Sequence, residues 1–474
     1  MIDCVLVYPI PSRESPSKGP ALSIFYVGVM LEKDGFEVEY VDERFDSRNR
    51  TIDLIKTNPL CVGVSAKTSI QLLEAQRILR QTKAINPKTI TVLGGPHPSL
   101  LPYQCISEES VDIVCIRDGE YTMRDVLRKI RDGDSLESVD GILWKQDGKV
   151  IQNKERPLSN PDDLPCPLTE KTKKYYKIAA EAGQVRILSS RGCPNDCAFC
   201  FNQAYHFGNW RSMSVEKFEE ELQLLTTELD INSIVLGDDN IGKNMKRLQR
   251  MCDLLRAKGL TWHTSIRCDY VSKELSQMFD DAGCRSVFFG VESGSERVLN
   301  DIIGKQYRNG IDDIRTCARN IGATNISGVY SFMCAIPTET KQELKMSMKL
   351  ADQIMKADKK ARISFYGYAP YPGTRMFQLA VQEGFKEPKT MEEWSQVTPG
   401  SIGGTVPENL YYISGLTFRK DKTGQNFPGW KRLLIKPFEL TASWRWWARL
   451  IDYYWEKRFV KYLMRKASQS RSME

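Results

Sequence analysis

The chain has 474 residues, enough for two or three domains with buried cores. Hydrophobic residues make up 41% and charged residues 27%, which excludes a wholly disordered or fibrous protein. No run approaches the roughly 18 apolar residues of a membrane span, and the first residues do not form a secretory signal. Thirteen scattered cysteines do not resemble a secreted disulfide framework, so we expect an intracellular, cytoplasmic protein.

The net charge of +7 is concentrated at the end of the chain. The stretch from Trp430 to Glu474 holds 11 basic and 4 acidic residues, so the rest of the chain is formally neutral. A nucleic-acid-binding protein would need a basic face on its main body. We therefore expect no nucleic-acid partner.

The first 130 residues alternate between strand-like and helix-like patterns. Strands are predicted at residues 3–8, 36–40, 61–65, 89–93 and 113–116, with helices at 21–34, 69–85 and around 122–130. Such alternation is typical of an α/β doubly wound parallel sheet, and we assign residues 1–145 to this Rossmann-like domain. Residues 146–184 are polar and rich in proline, which favours a linker.

A second alternating series follows the linker, with predicted strands at residues 185–189, 231–236, 262–266, 286–290, 327–333 and 363–368. Six strands with helical patterns between them over 185–385 predict a partial, TIM-like β/α barrel. Residues 386–474 form a mainly helical C-terminal region with a basic, tryptophan-rich segment.

Three closely spaced cysteines, Cys193, Cys197 and Cys200, directly follow the first strand of this series. One loop with this C-x3-C-x2-C spacing can bring three thiolates to three irons of a cubane cluster, which leaves the fourth iron open for a substrate. A zinc site is the alternative, because His206 could supply a fourth ligand. Three unrelated buried cysteines are the other alternative.

This loop resembles the signature of the radical S-adenosylmethionine (SAM) superfamily, C-x3-C-x-aromatic-C, with Phe199 as the aromatic residue. The resemblance implies one [4Fe–4S] cluster on these cysteines, and SAM bound to the open iron. It also implies an electron donor, such as a flavodoxin or ferredoxin, and cleavage of SAM to a 5′-deoxyadenosyl radical. No cysteine follows Cys334, so a second cluster in the C-terminal region has no ligands.

The resemblance continues at the ends of the later strands. It implies SAM contacts for five residues, which are Asp238, Asp239, Arg267, Glu292 and Ser293. A guanidinium such as that of Arg267 can bind a carboxylate bidentately. Taken singly, each of these residues is also an ordinary cap, turn or surface residue.

The chain departs from the family pattern at one strand end. Where relatives often read G-x-P-G-E-T, both glycines are replaced, by Ala335 and Thr338. We expect a backbone without the conformational freedom of glycine there.

In the first domain, Gly94 and Gly95 follow one strand and Glu120 closely follows the next. Glycine at a strand end lets the backbone approach a bulky ligand at the edge of a doubly wound sheet. With the cysteine loop, this pattern resembles the cobalamin-binding subclass of radical SAM enzymes and implies cobalamin at these residues. The Asp-x-His-x-x-Gly loop that ligates cobalt in some cobalamin proteins is absent. The alternative is a domain kept for packing or for holding substrate.

Residues 441–466 have helical character, with Trp447, Ile451, Trp455, Phe459 and Leu463 on one row and Arg445, Arg449 and Asp452 opposite. Two interpretations remain open: packing across the barrel mouth, or peripheral contact with the inner face of a membrane through aromatic and basic residues.

The resemblance implies, as the main hypothesis, cobalamin-dependent methylation of an unactivated carbon on a small, hydrophobic substrate. The first alternative is a radical-initiated cyclisation, oxidation or carbon–carbon coupling of a tetrapyrrole or isoprenoid lipid. A non-catalytic metal-binding protein is the alternative of another class. Four tyrosines are candidates to line the substrate cavity, although packing is the commoner role for such residues: Tyr205, Tyr366, Tyr368 and Tyr371.

Overall fold

The computed structural model describes residues 2–11, 17–398, 401–402, 409–410, 413–414, 417 and 429–450. The chain divides into two compact units. The first contains the described residues up to 265 together with 281–284 and 370–398, and the second contains 266–280, 285–369 and the described residues beyond 398.

A seven-stranded sheet forms the first half of the first unit. Its strands are β1 (Cys4–Tyr8), β2 (Val38–Asp42), β3 (Cys61–Ser65), β4 (Ile90–Gly94), β5 (Ile113–Cys115), β6 (Ile142–Gln146) and β7 (Lys149–Gln152). The strand order is β2-β1-β3-β4-β5-β6-β7, with β1 to β5 parallel. This is the predicted doubly wound sheet, and its order reverses between β1 and β3, where such folds bind ligands.

The helices between these strands cover the sheet. They are α1 (Leu22–Lys33), α2 (Arg48–Ile55), α3 (Gln71–Ile85), α4 (Pro96–Leu100), α5 (Pro102–Ile106) and α6 (Glu120–Asp132). The strands β1 and β3 are almost wholly buried because helices cover both faces of a parallel sheet. Their apolar side chains form one core with Trp394 and Phe377 from the returning segment 370–398.

A hairpin extends this sheet where the sequence indicated a linker. Strands β6 and β7 pair antiparallel, with Gln146 opposite Lys149. The two residues between them, Asp147 and Gly148, have φ values of 50° and 75°. An Asp-Gly pair with two positive φ angles matches the twist of adjacent antiparallel strands and is typical of a hairpin. The prolines that follow in the sequence favoured a linker instead.

The remaining strands of the first unit lead to the cysteine loop and away from it. They are β8 (Arg186–Ile187), β9 (Ser190–Arg191), β10 (Arg211–Ser212), β11 (Ser233–Leu236) and β12 (Thr261–Ser265). Strand β11 lies between β8 and β12 and is parallel to both, whereas β9 and β10 form a short antiparallel pair. The helices of this part are α7 (Lys173–Glu181), α8 (Asn202–His206), α9 (Val215–Glu228) and α10 (Met245–Ala257).

The second unit continues the strand–helix alternation. Its strands β13 (Cys284–Glu292), β14 (Ser327–Cys334) and β15 (Arg362–Gly367) are parallel neighbours. The helices are α11 (Lys273–Asp281), α12 (Ile311–Gly322) and α13 (Lys341–Ala357), followed in the chain by α14 (Arg375–Gln382) and α15 (Met391–Ser395) of the first unit. All six strands predicted for the β/α series are present, with ends that differ by a few residues.

The last described element is helix α16 (Gly429–Trp447) of the second unit. The side chains that pack inward are Ala442, Arg445 and Trp446, whereas Trp447 is 78% exposed. Trp446 contacts Phe365 and donates a 2.8 Å hydrogen bond to Asp352. The sequence pattern placed Trp447 in an apolar row and Arg445 on the opposite face, whereas the structure buries Arg445 and exposes Trp447. The other members of that row, Ile451, Trp455, Phe459 and Leu463, lie outside the described residues.

Candidate functional site

The cysteine loop joins β9 to the short helix α8. Cys193, Cys197 and Cys200 are reduced thiols of intermediate burial, and the amide of Cys200 donates to the carbonyl of Cys197 at 3.0 Å. Burial and, to a smaller extent, the neighbouring thiols of Cys197 and Cys193 raise the pKa of Cys200 to about 12, so the three sulfurs lie near one another. Phe199 lies between the last two cysteines and is half-buried.

The three thiols fit a cluster better than a mononuclear metal. A structural zinc site needs a fourth ligand beside the three thiols. His206, the proposed fourth ligand, instead has its Nδ1 atom 3.1 Å from the guanidinium of Arg211. A cubane cluster places its three thiolates on three different irons, so this donor set fits a cluster.

The loop after β11 holds the start of the cysteine loop in place. An Asp239 carboxylate oxygen accepts a 3.0 Å hydrogen bond from the Gly192 amide, next to Cys193. Asp238 is buried and accepts hydrogen bonds from the hydroxyls of Ser189, at 2.7 Å, and of Ser190. Burial raises the pKa of Asp238. The two neighbouring aspartates therefore have different surroundings, since Asp239 lines the cavity described next and Asp238 does not.

A cavity of about 300 Å³ lies within the first unit, between the carboxyl edge of the seven-stranded sheet and the cysteine loop. Its lining includes predicted residues Gly94, Gly95, Glu120 and Asp239. Further lining residues are Leu6, Gly63 and Met123 from the sheet and α6, and Arg191, Phe201, Tyr205 and His206 from the cysteine loop and its surroundings. The predicted cobalamin residues and one predicted SAM contact, Asp239, therefore border the same cavity, whereas the three cysteines do not line it.

Two observations fit a corrin-type cofactor to this cavity. Gly95 has a φ of 101°, and a Cβ there would approach the Ala66 carbonyl oxygen to 2.6 Å. The cavity wall at this position is therefore formed by backbone, because no side chain fits there. Glu120 Oε2 is buried without a hydrogen-bond partner, which leaves an acceptor for the amide groups that surround a corrin ring.

Charged side chains connect the sheet edge to the cysteine loop. Arg191 donates to Glu120 at 2.7 Å, and Arg211 donates to Asp118 at 2.7 Å. Burial alone would raise the pKa of Asp118, but Arg191 and Arg211 outweigh it and hold that pKa below its ordinary value. Sequence reasoning missed both arginines as site residues, although they belong to the two short paired strands before and after the cysteine loop.

Neither histidine near this region is charged at neutral pH. His97 is fully buried, bonds to the Thr68 hydroxyl at 2.8 Å and does not line the cavity. Burial lowers the pKa of His97 to about 4, and it lowers the pKa of His206 to about 4 as well. The sheet edge therefore presents no histidine to the cavity, in agreement with the missing Asp-x-His-x-x-Gly loop.

The other predicted SAM contacts belong to the second unit. Arg267 binds the Asp269 carboxylate through two hydrogen bonds of 2.9 Å, and Glu292 pairs with Lys305 at 3.0 Å. Ser293 is fully buried, with its hydroxyl 3.3 Å from that of Ser347. All three polar groups thus already have partners within this unit.

The backbone at the departure from the glycine pattern keeps its shape. Ala335 has a φ of 57° and Thr338 a φ of 65°, so both hold the left-handed conformation that glycine adopts most easily. The substitutions have therefore left the turn in place and placed two L side chains in a strained conformation.

The candidate tyrosines are placed differently from one another. Tyr205 lines the cavity of the first unit. Within the second unit, Tyr366 is 45% exposed and Tyr368 is buried, whereas Tyr371 of the first unit is 37% exposed.

Comparison with known families decides how the two halves are to be understood. The B12 binding domain family matches residues 10–127, and the radical SAM superfamily matches residues 187–351. The chain belongs to the cobalamin-binding subclass of the radical SAM superfamily. It is thus a radical SAM enzyme, and its cofactors are a [4Fe–4S] cluster, SAM and cobalamin.

Three curated relatives of this radical SAM enzyme cover most of its length. An uncharacterised methyltransferase of Pyrococcus horikoshii is 29% identical over 82% of this chain and 86% of its own. The cytidylyl-2-hydroxyethylphosphonate methyltransferase of Streptomyces wedmorensis is 25% identical over 78% and 79%. The anaerobic magnesium-protoporphyrin IX monomethyl ester cyclase of Rubrivivax gelatinosus is 25% identical over 80% and 69%.

The fold is also that of a solved enzyme. The cobalamin-dependent SAM radical enzyme OxsB, with aqua-cobalamin and SAM bound, matches 99% of this chain and 75% of its own with a TM-score of 0.75. The sequence identity is 18%, so this likeness concerns the fold alone.

Proposed function

We propose that this protein is a cobalamin-dependent methyltransferase that acts on an unactivated carbon of a small, hydrophobic substrate. The observation that carries the proposal is that one cavity is bordered by Gly95 and Glu120 on one side and by Arg191, Tyr205 and His206 on the other. When bound, the cluster and SAM would supply a 5′-deoxyadenosyl radical, and cobalamin would carry the methyl group.

The protein's own residues would bind and orient these groups. Cys193, Cys197 and Cys200 would hold the cluster, with Asp239 fixing the loop through the Gly192 amide. Gly94, Gly95 and Glu120 would border the corrin. We assign SAM contacts to Phe199, Asp238, Asp239, Arg267, Glu292 and Ser293, with Arg267 exchanging its contact with Asp269 for the SAM carboxylate.

The experiment is a product analysis of the full chain, reconstituted anaerobically with iron, sulfide and cobalamin. With SAM and a strong reductant, we expect both 5′-deoxyadenosine and S-adenosylhomocysteine, the latter only when cobalamin is retained. S-adenosylhomocysteine does not require the unidentified substrate, because one methyl group can be transferred to the cofactor. Its absence, with 5′-deoxyadenosine still formed, would contradict methyl transfer and favour the cyclisation, oxidation or coupling alternative. Neither product would favour the non-catalytic alternative.

A cysteine variant provides the matched control. Cys197→Ala should lose the cluster absorbance and the 5′-deoxyadenosine that depends on the radical, whereas Cys166→Ala, a thiol outside the loop, should retain the iron of the native protein. Full iron content in Cys197→Ala would contradict the ligand assignment.

We also propose that a flavodoxin- or ferredoxin-like donor reduces the cluster in the cytoplasm. The thiols of the loop are only partly buried, so a protein donor can come within electron-transfer distance. Reduction of the reconstituted cluster by a purified flavodoxin system, measured by loss of iron–sulfur absorbance, tests this proposal. An unreduced cluster in the presence of the donor would contradict it.

The described C-terminal helix supports peripheral membrane contact as a further part of the proposal. The exposed side chains Leu440, Trp444 and Trp447 of this helix recur at helical spacing, and they stand in the basic part of the chain. No helix in the described part of the chain is long and apolar enough to cross a bilayer.

Co-sedimentation with anionic vesicles tests the membrane contact. The double variant Trp444→Ser, Trp447→Ser should lose most binding, whereas Tyr103→Ser, which removes another exposed aromatic ring, should bind like the native chain. Equal binding by all three proteins would contradict the membrane contact.

A further inference from the structure

Two side-chain amides surround the sulfur of Cys193. The Nδ2 atom of Asn195 lies 3.2 Å from Cys193 Sγ, and the Nδ2 atom of Asn240 lies 3.7 Å from it. Both distances are within hydrogen-bonding range for a sulfur acceptor. Asn195 belongs to the cysteine loop itself, whereas Asn240 belongs to the loop after β11, 47 residues after Cys193.

The orientation of the Asn240 amide is determined by a second contact. Its Oδ1 atom accepts a 3.1 Å hydrogen bond from the Gly242 amide, which only an oxygen can do. The NH₂ group must therefore face Cys193. Asn240 is 2% exposed, and its backbone carbonyl accepts a 2.8 Å bond from the indole of Trp210, so the residue has little freedom to turn away.

The residue before Asn240 also joins the β11 loop to the cysteine loop. Asp239 binds the Gly192 amide at 3.0 Å, one residue before Cys193. Consecutive residues of the β11 loop thus contact consecutive residues of the cysteine loop. This arrangement holds the Asn240 donor at a defined distance from the sulfur.

Hydrogen bonds to a ligating sulfur affect the charge of an iron–sulfur cluster. A donor to the thiolate draws electron density from the sulfur, and it stabilises the reduced, more negative cluster more than the oxidised one. We propose that Asn240 and Asn195 raise the reduction potential of the cluster through Cys193, so that both are positioning residues. This inference rests on the proposed role of Cys193 as a cluster ligand.

The test is an EPR-monitored potentiometric titration of the reconstituted full chain, with iron content measured on the same samples. Asn240→Ser removes the amide donor to sulfur, and its shorter side chain keeps an oxygen that can cap the Gly242 amide. Asn195→Ala removes the other donor. Each variant should show a more negative midpoint potential than the native chain, and the double variant should be more negative still.

Asn244→Ser is the matched control, because Asn244 also caps a backbone amide, that of Arg247 at the start of α10. It should leave the potential unchanged. Fully loaded Asn240→Ser and Asn195→Ala proteins with the native potential would overturn the inference. If one variant loses iron, the other decides. Loss of iron from both, with retention in Asn244→Ser, would also overturn it, because the amides would then retain the cluster rather than set its potential.

The failure of this inference can be distinguished from failure of the proposed function. A native chain that forms no cluster would contradict the proposed function itself. A native cluster with a potential that neither asparagine affects would contradict only the inference about the two amides.

Discussion

Arg191 Nη2 lies 2.7 Å from the carboxylate of Glu120, and the two side chains are only 13% and 5% exposed. Arg191 stands two residues before Cys193, and Glu120 begins helix α6 at the edge of the first sheet. The pair therefore connects the start of the cysteine loop to the domain that matches the B12 binding family. Both side chains line the cavity near which the cluster and cobalamin would be neighbours.

We expect Arg191→Gln to destabilise the protein by about 3–5 kcal/mol, because it leaves the buried carboxylates of Glu120 and Asp118 without one of their cations. Chemical denaturation measures the free energy of unfolding. The control is Arg250→Gln, which breaks an ion pair with Glu216 whose side chains are 60% and 66% exposed. That change should have little effect on stability, because exposed ion pairs contribute little. Equal costs for the two variants would contradict the prediction.

Gly95→Ala should lower both stability and cobalamin retention. The new methyl group would approach the Ala66 carbonyl oxygen to 2.6 Å and would stand in a left-handed conformation. We expect a loss of more than about 2 kcal/mol, the left-handed conformation alone accounting for roughly 1–2. Gly148→Ala is the control, since it shares the positive φ but meets no atom within 4 Å. It should retain cobalamin through gel filtration, as measured by absorbance, whereas Gly95→Ala should not.

Thr338→Gly should stabilise the protein by about 0.5–1 kcal/mol. A β-branched residue at a φ of 65° is strained, and glycine relieves this strain at the cost of a more flexible unfolded chain. Thermal unfolding measures the difference. Thr316→Gly makes the same chemical change within helix α12, where it should lower stability by a few tenths of a kcal/mol. A lower melting temperature for Thr338→Gly would show that the turn is not strained there.

The buried Glu221 should make stability fall as the pH rises. Burial raises the pKa of Glu221 from 4.5 to about 7, and its Oε1 atom has no hydrogen-bond partner. The unfolded chain releases this proton first, so stability is lost between about pH 4.5 and pH 7 and is then constant. The loss is on the order of 3 kcal/mol, since each pKa unit corresponds to about 1.4 kcal/mol.

Denaturation of Glu221→Gln across this pH range tests the prediction, because the variant should lack this part of the fall. Glu216→Gln, which changes an exposed carboxylate on the same helix, should keep it. If Glu221→Gln shows the same decrease as the native chain, another group is responsible.

Much of the fold was predictable because its determinants are local. The alternation of apolar strands with amphipathic helices predicted both parallel series, since each strand and helix has its own periodicity. The hairpin of β6 and β7 was missed although its Asp-Gly turn is also local. The burial of Trp446 instead of Trp447 could not be derived, because it depends on Asp352 and Phe365 from elements far along the chain.

The sequence by itself determined the cysteine loop, because the spacing of Cys193, Cys197 and Cys200 is a property of one short segment. The cofactors followed from the resemblance of that segment and of the first domain to a known family. Only the tertiary structure decided which side chains surround that loop. Asn240 meets Cys193 because the parallel neighbours β8 and β11 deliver their carboxyl ends to one edge, whatever the distance along the chain. Glu120 meets Arg191 although the two residues follow or belong to strands of different sheets. Such contacts follow from packing in three dimensions, and no periodicity within a segment contains them.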